Sequence, residues 1–213
     1  MPPSSDVTSA PSQIANVVVL GSGIMGCGIA QVCLQGGLCV KLIIRSATRY
    51  ESVHDKILMG LKKAARLKQP TDEKAQSLSV LNDVSRLEIT SNLKMACSNA
   101  ELIIESIIED LKAKQDLFRK IVRLAPENCI LVSNTSSLSL TDIASVLPSS
   151  SNFAGLHFFN PVPAMKLVEL VRVKETSQAT FSTLIQFCET IGKRPVQCAV
   201  LFLNDDKCFT YDQ

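Results

Sequence analysis

The sequence predicts an α/β fold: a Rossmann-like, doubly wound and mostly parallel sheet with an antiparallel strand pair near the C-terminus. Three observations support this prediction. Strand and helix patterns alternate along the chain, as they do in parallel sheets. A G-x-G-x-x-G series lies between the first strand and the first helix. Two apolar runs flank the segment Asn160–Pro163, whose prolines fit neither a helix nor a central strand, so these runs predict two strands joined by a tight connection.

The individual elements follow from residue periodicity. The first strand is β-branched and stops at Gly21, and the helix after it repeats apolar residues at helical spacing. The helix at 110–124 has one apolar face, and Ser139 with Asp142 has the spacing of a helix-capping pair. Strands are predicted at 17–20, 39–44, 87–90, 101–105, 130–133, 153–158, 166–172 and 195–198, and helices at 24–35, 51–67, 72–81, 92–98, 110–124, 139–147 and 177–191.

Each glycine of the first turn has a physical use. Gly21 permits the tight turn from strand to helix, Gly23 lets the backbone approach a pyrophosphate, and Gly26 lets the helix pack closely on the strand. The helix that starts with Ile24 and Met25 offers free N–H groups to phosphates. We therefore predict that Gly21, Gly23, Ile24, Met25 and Gly26 bind a dinucleotide cofactor. A purely structural glycine turn is the alternative.

The residue expected to bind the ribose of NAD is missing. The second strand of such a domain usually ends in an acid roughly 20 residues after the glycines, but Ile44 and Arg45 stand at that place. An arginine there can bind the 2′-phosphate of NADP. NAD is the predicted cofactor, and NADP stays open because Ile44 and Arg45 replace the acid. The alternative is that Arg45 and Arg49 only face solvent.

One of the two histidines lies opposite a glutamate in the predicted strand pair. If the strands pair antiparallel about Pro163, residues whose numbers sum to 326 face each other, and His157 with Glu169 is such a pair. Facing side chains lie about 4.5–5.5 Å apart at Cβ, so the carboxylate can hold the imidazole. This is half of a proton-transfer site. A chance pairing, with His157 as a packed residue at a strand end, is the alternative.

Further polar residues follow the predicted parallel strands, at the edge where ligands of such sheets bind. They are Glu105, Glu109, Lys114, Asn134, Thr135, Ser136 and Ser137. Ordinary turn chemistry is the alternative for the Asn and Ser residues. Lys62 and Lys63 lie on one basic helix that could bind the phosphates of a carrier such as coenzyme A, although a solvated helix face explains them as well.

Composition narrows the functional classes. The chain has 213 residues, 46% of them hydrophobic, which suffices for one core, and a net charge of +2, which does not indicate nucleic acid. No apolar run approaches the roughly 20 residues of a membrane helix. Eight cysteines without a C-x-x-C pair indicate neither a metal site nor disulfides, but reduced thiols inside the cell. Residues 1–13, rich in Pro and Ser, predict a disordered segment without a secretory or transit signal, which favours the cytoplasm.

Four motifs together resemble one enzyme family. They are G-x-G-x-M-G-x-G-I-A-Q at 21–31, E-x-x-x-E-x-L-x-x-K at 105–114, S-N-T-S-S-L at 133–138 and G-L-H-F-F-N-P-V-P-x-M-K-L-V-E at 155–169. The series resembles the L-3-hydroxyacyl-CoA dehydrogenases of fatty-acid β-oxidation and their 3-hydroxybutyryl-CoA relatives. The resemblance runs from about Ile14 to Cys198, so residues 14–198 are predicted to form the NAD(P)-binding dehydrogenase domain.

The resemblance implies roles for the matching residues. His157 would be the catalytic base, Glu169 its partner, and Ser136 would bind the 3-oxygen of an acyl-CoA substrate. Glu109, Lys114, Asn134 and Asn160 would lie near the cofactor and the reacting centre, with Asn160 on the substrate side. The family also implies the mitochondrial matrix as the compartment.

Beyond Cys198 the resemblance ends. In the family a helical domain follows, which forms the dimer and closes the substrate cleft, whereas residues 199–213 diverge from the family pattern. We therefore expect a truncated form with reduced activity. Apolar residues near the cleft, namely Phe158, Phe159, Val162 and Met165, would then form an exposed patch that favours a homo-oligomer or association with a full-length subunit. A non-catalytic dinucleotide-binding module that regulates such a subunit is the alternative function.

Overall fold

The computed structural model describes Pro11 and residues 13–199. The predicted disordered segment and the divergent tail therefore lie almost entirely outside the described residues. Among the described residues, eight strands form one sheet with the order β3-β2-β1-β4-β5-β6-β7-β8. The strands are β1 (Asn16–Leu20), β2 (Cys39–Ile43), β3 (Leu87–Thr90), β4 (Leu102–Glu105), β5 (Ile130–Ser133), β6 (Phe153–Phe158), β7 (Leu167–Arg172) and β8 (Arg194–Ala199).

The helices connect these strands on both faces of the sheet. They are α1 (Ile24–Gln35), α2 (Tyr50–Lys68), α3 (Glu73–Val84), α4 (Leu93–Cys97), α5 (Leu111–Ile121), α6 (Leu140–Ala144) and α7 (Gln178–Thr190). Strand pairing is parallel except between β6 and β7. The predicted fold class is thus confirmed, and the first six strands have the arrangement of a dinucleotide-binding sheet.

The antiparallel pair has the predicted register. His157 faces Glu169 and Phe158 faces Val168, so the residue numbers of facing pairs sum to 326. The turn between the strands contains a cis peptide bond between Asn160 and Pro161. Strand β8 then adds to β7 in parallel, in a register that places Val196 beside Glu169.

Two apolar clusters, one on each face, cover the sheet. The first joins the sheet to α1, α2 and α7, and the second joins it to α4, α5 and α6. Phe158 and Val162 are buried in the first cluster. The prediction that these two residues belong to an exposed patch was therefore wrong: Phe158 ends a strand inside the sheet, and Val162 folds back from the turn onto α1. Of the other two residues of the predicted patch, Phe159 is half-buried and Met165 is 39% exposed.

Among the described residues before β8, six cysteines carry free thiols, namely Cys27, Cys33, Cys39, Cys97, Cys129 and Cys188. Five of them are buried, and Cys39 is exposed. Burial raises the pKa of Cys129 and that of Cys188 to about 12, which makes both thiols unreactive near neutral pH. None of the described helices is long and apolar enough to cross a membrane.

Candidate active site

The site is built at one edge of the sheet, where the parallel strands end. Leu20, the last residue of β1, pairs with Glu105, the last residue of β4, and Glu105 pairs with Ser133, the last residue of β5. Strand β6 lies next to β5 and continues three residues past the last paired position, Gly155, to Phe158. The glycine turn, the acidic loop after β4, the Ser-rich loop after β5 and His157 are thereby brought to the same edge.

The glycine turn has the conformation that its sequence requires. Gly21 has φ +113°, in the left-handed region, and a Cβ on this residue would also overlap the carbonyl oxygen of Ser106. A Cβ on Gly26 would overlap the carbonyl oxygen of Gly21, so only glycine lets α1 approach β1 this closely. At Gly23, by contrast, an added Cβ would meet no protein atom within 4 Å. This open space lies where a pyrophosphate would approach the backbone.

No side chain caps the N-terminus of helix α1. Its N-cap is Gly23, which offers no capping group, and its first turn contains no acid. The N–H groups of Ile24, Met25 and Gly26 are the donors that a helix start leaves without an intrahelical partner. Ile24 is also largely exposed. These features suit an anion at this helix end, where the helix dipole adds positive charge.

Position 44 is not a ribose-binding group in this structure. The side chain of Ile44 is 3% exposed and packs in the apolar cluster under α1 and α2. Arg45, the next residue, is exposed. An acid substituted at position 44 would therefore be directed into the core.

His157 and Glu169 form the hydrogen bond that their register predicts. The Nδ1 atom of His157 lies 2.9 Å from Oε2 of Glu169, and the two side chains are 21% and 25% exposed. The ring of Phe159 packs beside the imidazole with a centroid distance of 4.6 Å. No described residue forms a hydrogen bond with the second ring nitrogen, His157 Nε2. A carboxylate on Nδ1 leaves Nε2 as the atom that can exchange a proton with a substrate.

Asn134 connects the ends of three neighbouring strands. Its Oδ1 accepts a hydrogen bond of 2.8 Å from the backbone N–H of Phe158, its Nδ2 lies 3.4 Å from Oγ of Ser106, and its own N–H donates to the carbonyl of Glu105. The bond to Phe158 fixes the backbone directly after His157. The sequence predicted Asn134 as a cofactor residue, and its observed contacts add a role in positioning the histidine strand.

The acid that ends β4 and the acid in the following loop both form ion pairs with a buried lysine. Glu105 is 0% and Lys114 1% exposed, and their charged atoms lie 2.6 Å apart. Glu105 also accepts hydrogen bonds from the hydroxyl of Ser133 and the N–H of Ile107. Lys114 lies 3.2 Å from the second acid, Glu109. Lys114 is thus enclosed by carboxylates, and any role toward the cofactor would act through Glu109.

Glu109 shapes the Ser-rich loop after β5. One of its carboxylate oxygens accepts hydrogen bonds from the Thr135 hydroxyl and from the backbone N–H groups of Ser136 and Ser137. Burial acts to raise the pKa of Glu109, but the bonds from Thr135 and Ser136 and the charge of Lys114 together lower that pKa to about 2. The hydroxyl of Ser136 remains exposed and is not engaged by any described residue.

Two other predicted substrate residues lie apart from these contacts. Lys62 and Lys63 are exposed on α2 and form no hydrogen bond or ion pair with a described residue. Nothing in the fold brings them beside His157.

The third predicted substrate residue, Asn160, is exposed and lies three residues after His157, at the start of the β6–β7 turn.

One contributor to the site was not predicted. Lys193 is buried before β8, and its Nζ donates hydrogen bonds to the carbonyl oxygens of Val162, at 2.5 Å, and Met165, at 2.8 Å. It thereby anchors the turn that follows His157. Burial lowers the pKa of Lys193 from its ordinary value. No local sequence signal indicates this contact, because it joins positions about 30 residues apart that β8 brings together.

This fold and this edge define a dinucleotide-binding domain of the dehydrogenase type, with a histidine–carboxylate pair at the cofactor edge. Residues 16–200 match the family model described as 3-hydroxyacyl-CoA dehydrogenase, NAD binding domain. The chain belongs to this family. The match confirms the predicted family and NAD as the predicted cofactor.

Relatives and solved structures agree with the family. The chain is 41% identical over 185 residues to the mitochondrial hydroxyacyl-coenzyme A dehydrogenase of Rattus norvegicus, covering 87% of this chain and 59% of the relative. It is 40% identical to a probable 3-hydroxyacyl-CoA dehydrogenase of Caenorhabditis elegans, with 90% and 62% covered. The crystal structure of (S)-3-hydroxybutyryl-CoA dehydrogenase PaaH1 from Ralstonia eutropha superposes with a TM-score of 0.79 at 32% identity, covering 88% of this chain and 64% of that one. The chain thus spans about 60% of the length of these curated relatives.

Proposed function

We propose that this chain binds a nicotinamide dinucleotide and takes part in the interconversion of (S)-3-hydroxyacyl-CoA and 3-oxoacyl-CoA, the reaction of fatty-acid β-oxidation. The observation that most supports this proposal is the hydrogen bond of 2.9 Å between His157 Nδ1 and Glu169, at the same sheet edge as the glycine turn. In the proposal, residues 14–198 form the dinucleotide-binding domain and 199–213 a divergent tail.

The proposed chemistry assigns a proton to the protein and a hydride to the cofactor. A bound nicotinamide would supply the acceptor for the hydride of C3 of the hydroxyacyl group. His157 takes the proton of the 3-hydroxyl on Nε2, and Glu169 fixes the tautomer and stabilises the imidazolium that results. Ser136, whose hydroxyl forms no hydrogen bond with a described residue, would bind the same oxygen. General acid–base assistance of this kind contributes about 10²–10⁴-fold.

The cofactor fits the residues at the glycine turn. The open space at Gly23 and the uncapped start of α1 suit a pyrophosphate. Glu109, whose carboxylate shapes the Ser136 loop, would lie between the cofactor and the reacting oxygen, with Lys114 behind it. Asn160 and the exposed Lys62 and Lys63 remain proposed contacts of the acyl-CoA.

We further propose that the 213-residue chain by itself turns over slowly. His157 and Ser136 lie at an edge open to solvent, and water weakens the electrostatic interactions that a closed cleft would strengthen. Association with a second copy or with a longer subunit would cover this edge. Three large apolar side chains near this edge are exposed and could contact such a partner: Met165 on the turn, Leu167 on β7 and Val196 on β8.

A non-catalytic dinucleotide-binding module is the second candidate function. The observation that favours it is the buried Ile44 at the position where a ribose-binding acid is expected. The compartment is proposed to be intracellular, in keeping with the buried thiols; the relative from Rattus norvegicus is mitochondrial by name.

One assay separates the two candidates. Purified protein is mixed with acetoacetyl-CoA and NADH, and oxidation of the reduced cofactor is followed by absorbance, while cofactor binding is measured by its fluorescence. Turnover that depends on acetoacetyl-CoA supports the dehydrogenase. Binding of cofactor without turnover, at protein concentrations that allow self-association, supports the module.

A further inference from the structure

The corner of the sheet formed by the glycine turn after β1 and by residues 45–49 after β2 is basic. Ile43, the last residue of β2, pairs with Leu20, the last residue of β1, so the residues after both strands run side by side. After β1 comes the glycine turn, and after β2 come Arg45 and, four residues later at the end of a short 3-10 helix (Ala47–Arg49), Arg49. Both arginines are exposed. Neighbouring strands lie about 4.8 Å apart, which is within the reach of an arginine side chain.

Neither Arg45 nor Arg49 is neutralised by an ion pair with a described acid. The chain has no Asp or Glu from residue 7 to residue 50, and Glu51 is the only acid in the first turn of α2. Arg45 and Arg49 form no ion pair with any described residue, unlike Arg86, which pairs with Asp83. Lys41, the other cation of this segment, is directed to Asn99 at 2.9 Å. Two arginines therefore remain available for a ligand.

The charge of this corner extends to the start of α1. Burial raises the pKa of the Cys27 thiol, which lies in the first turn of α1, while the positive charges of Lys56 and Arg49 act in the opposite direction. Arg49 and Lys56 thus lie within electrostatic range of the helix end that is proposed to bind pyrophosphate. The hydroxyls of Ser46 and Thr48, 2.9 Å apart, lie between the two arginines in sequence and add hydrogen-bonding groups.

An acid at the end of β2 normally binds the ribose diol of NAD and repels a 2′-phosphate, whereas an arginine there accommodates that phosphate. Here Ile44 is buried, and Arg45 is the first exposed residue after the strand. We propose that Arg45 and Arg49 bind the 2′-phosphate of NADP(H), so that this chain accepts NADP(H) at least as well as NAD(H). This inference rests on the proposed dinucleotide site and specifies its ligand.

Binding measurements test the inference directly. NADPH and NADH are titrated into the full chain at one ionic strength, and binding is followed by the fluorescence of the reduced nicotinamide. The competitors 2′,5′-ADP and 5′-ADP, which contain no nicotinamide, are then added in separate titrations. We expect NADPH to bind at least as tightly as NADH, and 2′,5′-ADP to compete better than 5′-ADP. Arg45→Ala combined with Arg49→Ala should weaken NADPH at least tenfold and change NADH less than threefold. Arg45→Glu should reverse the preference.

Arg66→Ala combined with Lys68→Ala is the matched control. Both residues are exposed in the last turn of α2, so this double variant removes the same two positive charges without touching the residues after β1 and β2. A tenfold preference for NADH in the unsubstituted protein would overturn the inference while leaving the dinucleotide site intact. An equal loss of NADPH affinity in the Arg66→Ala, Lys68→Ala control would also overturn it, because the effect would then be general attraction of anions. Failure to bind either cofactor would contradict the proposed function as well.

Discussion

The Nδ1 atom of His157 lies 2.9 Å from Oε2 of Glu169, and the two residues face each other across the only antiparallel strand pair among the described strands. The strand register sets this relationship, because facing residues in a ladder are close neighbours. Neither side chain is fully buried, so the free side of the imidazole can meet a substrate. This geometry supports the proposal that the pair acts as an acid–base group.

Replacing Glu169 by Gln should lower turnover far more than substrate binding. An amide still fits between the strands, but it no longer stabilises the imidazolium, and it can hold the wrong tautomer. We expect kcat for acetoacetyl-CoA reduction to fall by at least about 100-fold, within the range of general acid–base assistance, with little change in KM. Glu175→Gln, at an exposed position after β7, is the control. Equal kcat values for Glu169→Gln and the control would remove Glu169 from the mechanism.

Two glycines of the same turn should respond differently to alanine. A Cβ at Gly26 overlaps the carbonyl of Gly21, so Gly26→Ala should destabilise the protein by about 1–3 kcal/mol or more. A Cβ at Gly23 meets no protein atom within 4 Å, so Gly23→Ala should cost at most about 1 kcal/mol as a helix N-cap change. Gly23→Ala should nevertheless weaken cofactor binding strongly, because the methyl group would enter the space proposed for the pyrophosphate. Urea unfolding and cofactor titration measure the two effects; unchanged cofactor affinity in Gly23→Ala would place the pyrophosphate elsewhere.

The lysine under the acidic loop should matter for stability. Lys114→Met leaves Glu105 buried without a cation, and breaking a buried pair in this way costs about 3–5 kcal/mol. Lys112→Met, which removes an exposed pair with Asp116, should cost no more than about 1 kcal/mol. Adding Glu105→Gln to Lys114→Met should recover part of the loss, since no uncompensated charge remains. Similar unfolding free energies for the two single variants would show that the buried pair contributes little.

The low pKa of Glu109 predicts a pH dependence of stability. Its folded-state pKa of about 2 lies below the ordinary value of 4.5, so the carboxylate binds protons less readily in the folded protein. The resulting stabilisation is fully present above pH 4.5 and is lost as the pH falls toward 2. The difference in unfolding free energy between the protein and Glu109→Gln should therefore be constant above this range and shrink within it. A difference that does not change with pH would contradict the hydrogen-bonded carboxylate.

Local patterns predicted the elements of this fold well. Strand and helix positions follow hydrophobic periodicity, and the two prolines after Asn160 predicted the tight connection that sets the His157–Glu169 register. The contacts that join distant segments were not predictable in the same way. Lys193 reaches the carbonyls of Val162 and Met165 only because β8 lies beside β7. Nothing in the sequence around Lys193 distinguishes it from a surface lysine.

Burial was the other property that the sequence left open. Ile44 could have ended its strand beside the cofactor, but the alternation of the strand directs it into the core. Phe158 and Val162 were expected at the surface and are buried for a similar reason, since their neighbours come from α1 and the sheet. Lys114 was expected beside the cofactor, and its enclosure by Glu105 and Glu109 depends on how α5 packs against the end of β4.

The central claim is that His157 transfers the proton at a dinucleotide-binding edge. The most direct measurement is oxidation of NADH and NADPH by acetoacetyl-CoA with the unsubstituted protein and with His157→Ala, each after its cofactor affinity has been determined. We expect slow but measurable turnover in the former and no turnover above background in the latter, at equal cofactor affinity. Turnover retained in His157→Ala would contradict the claim.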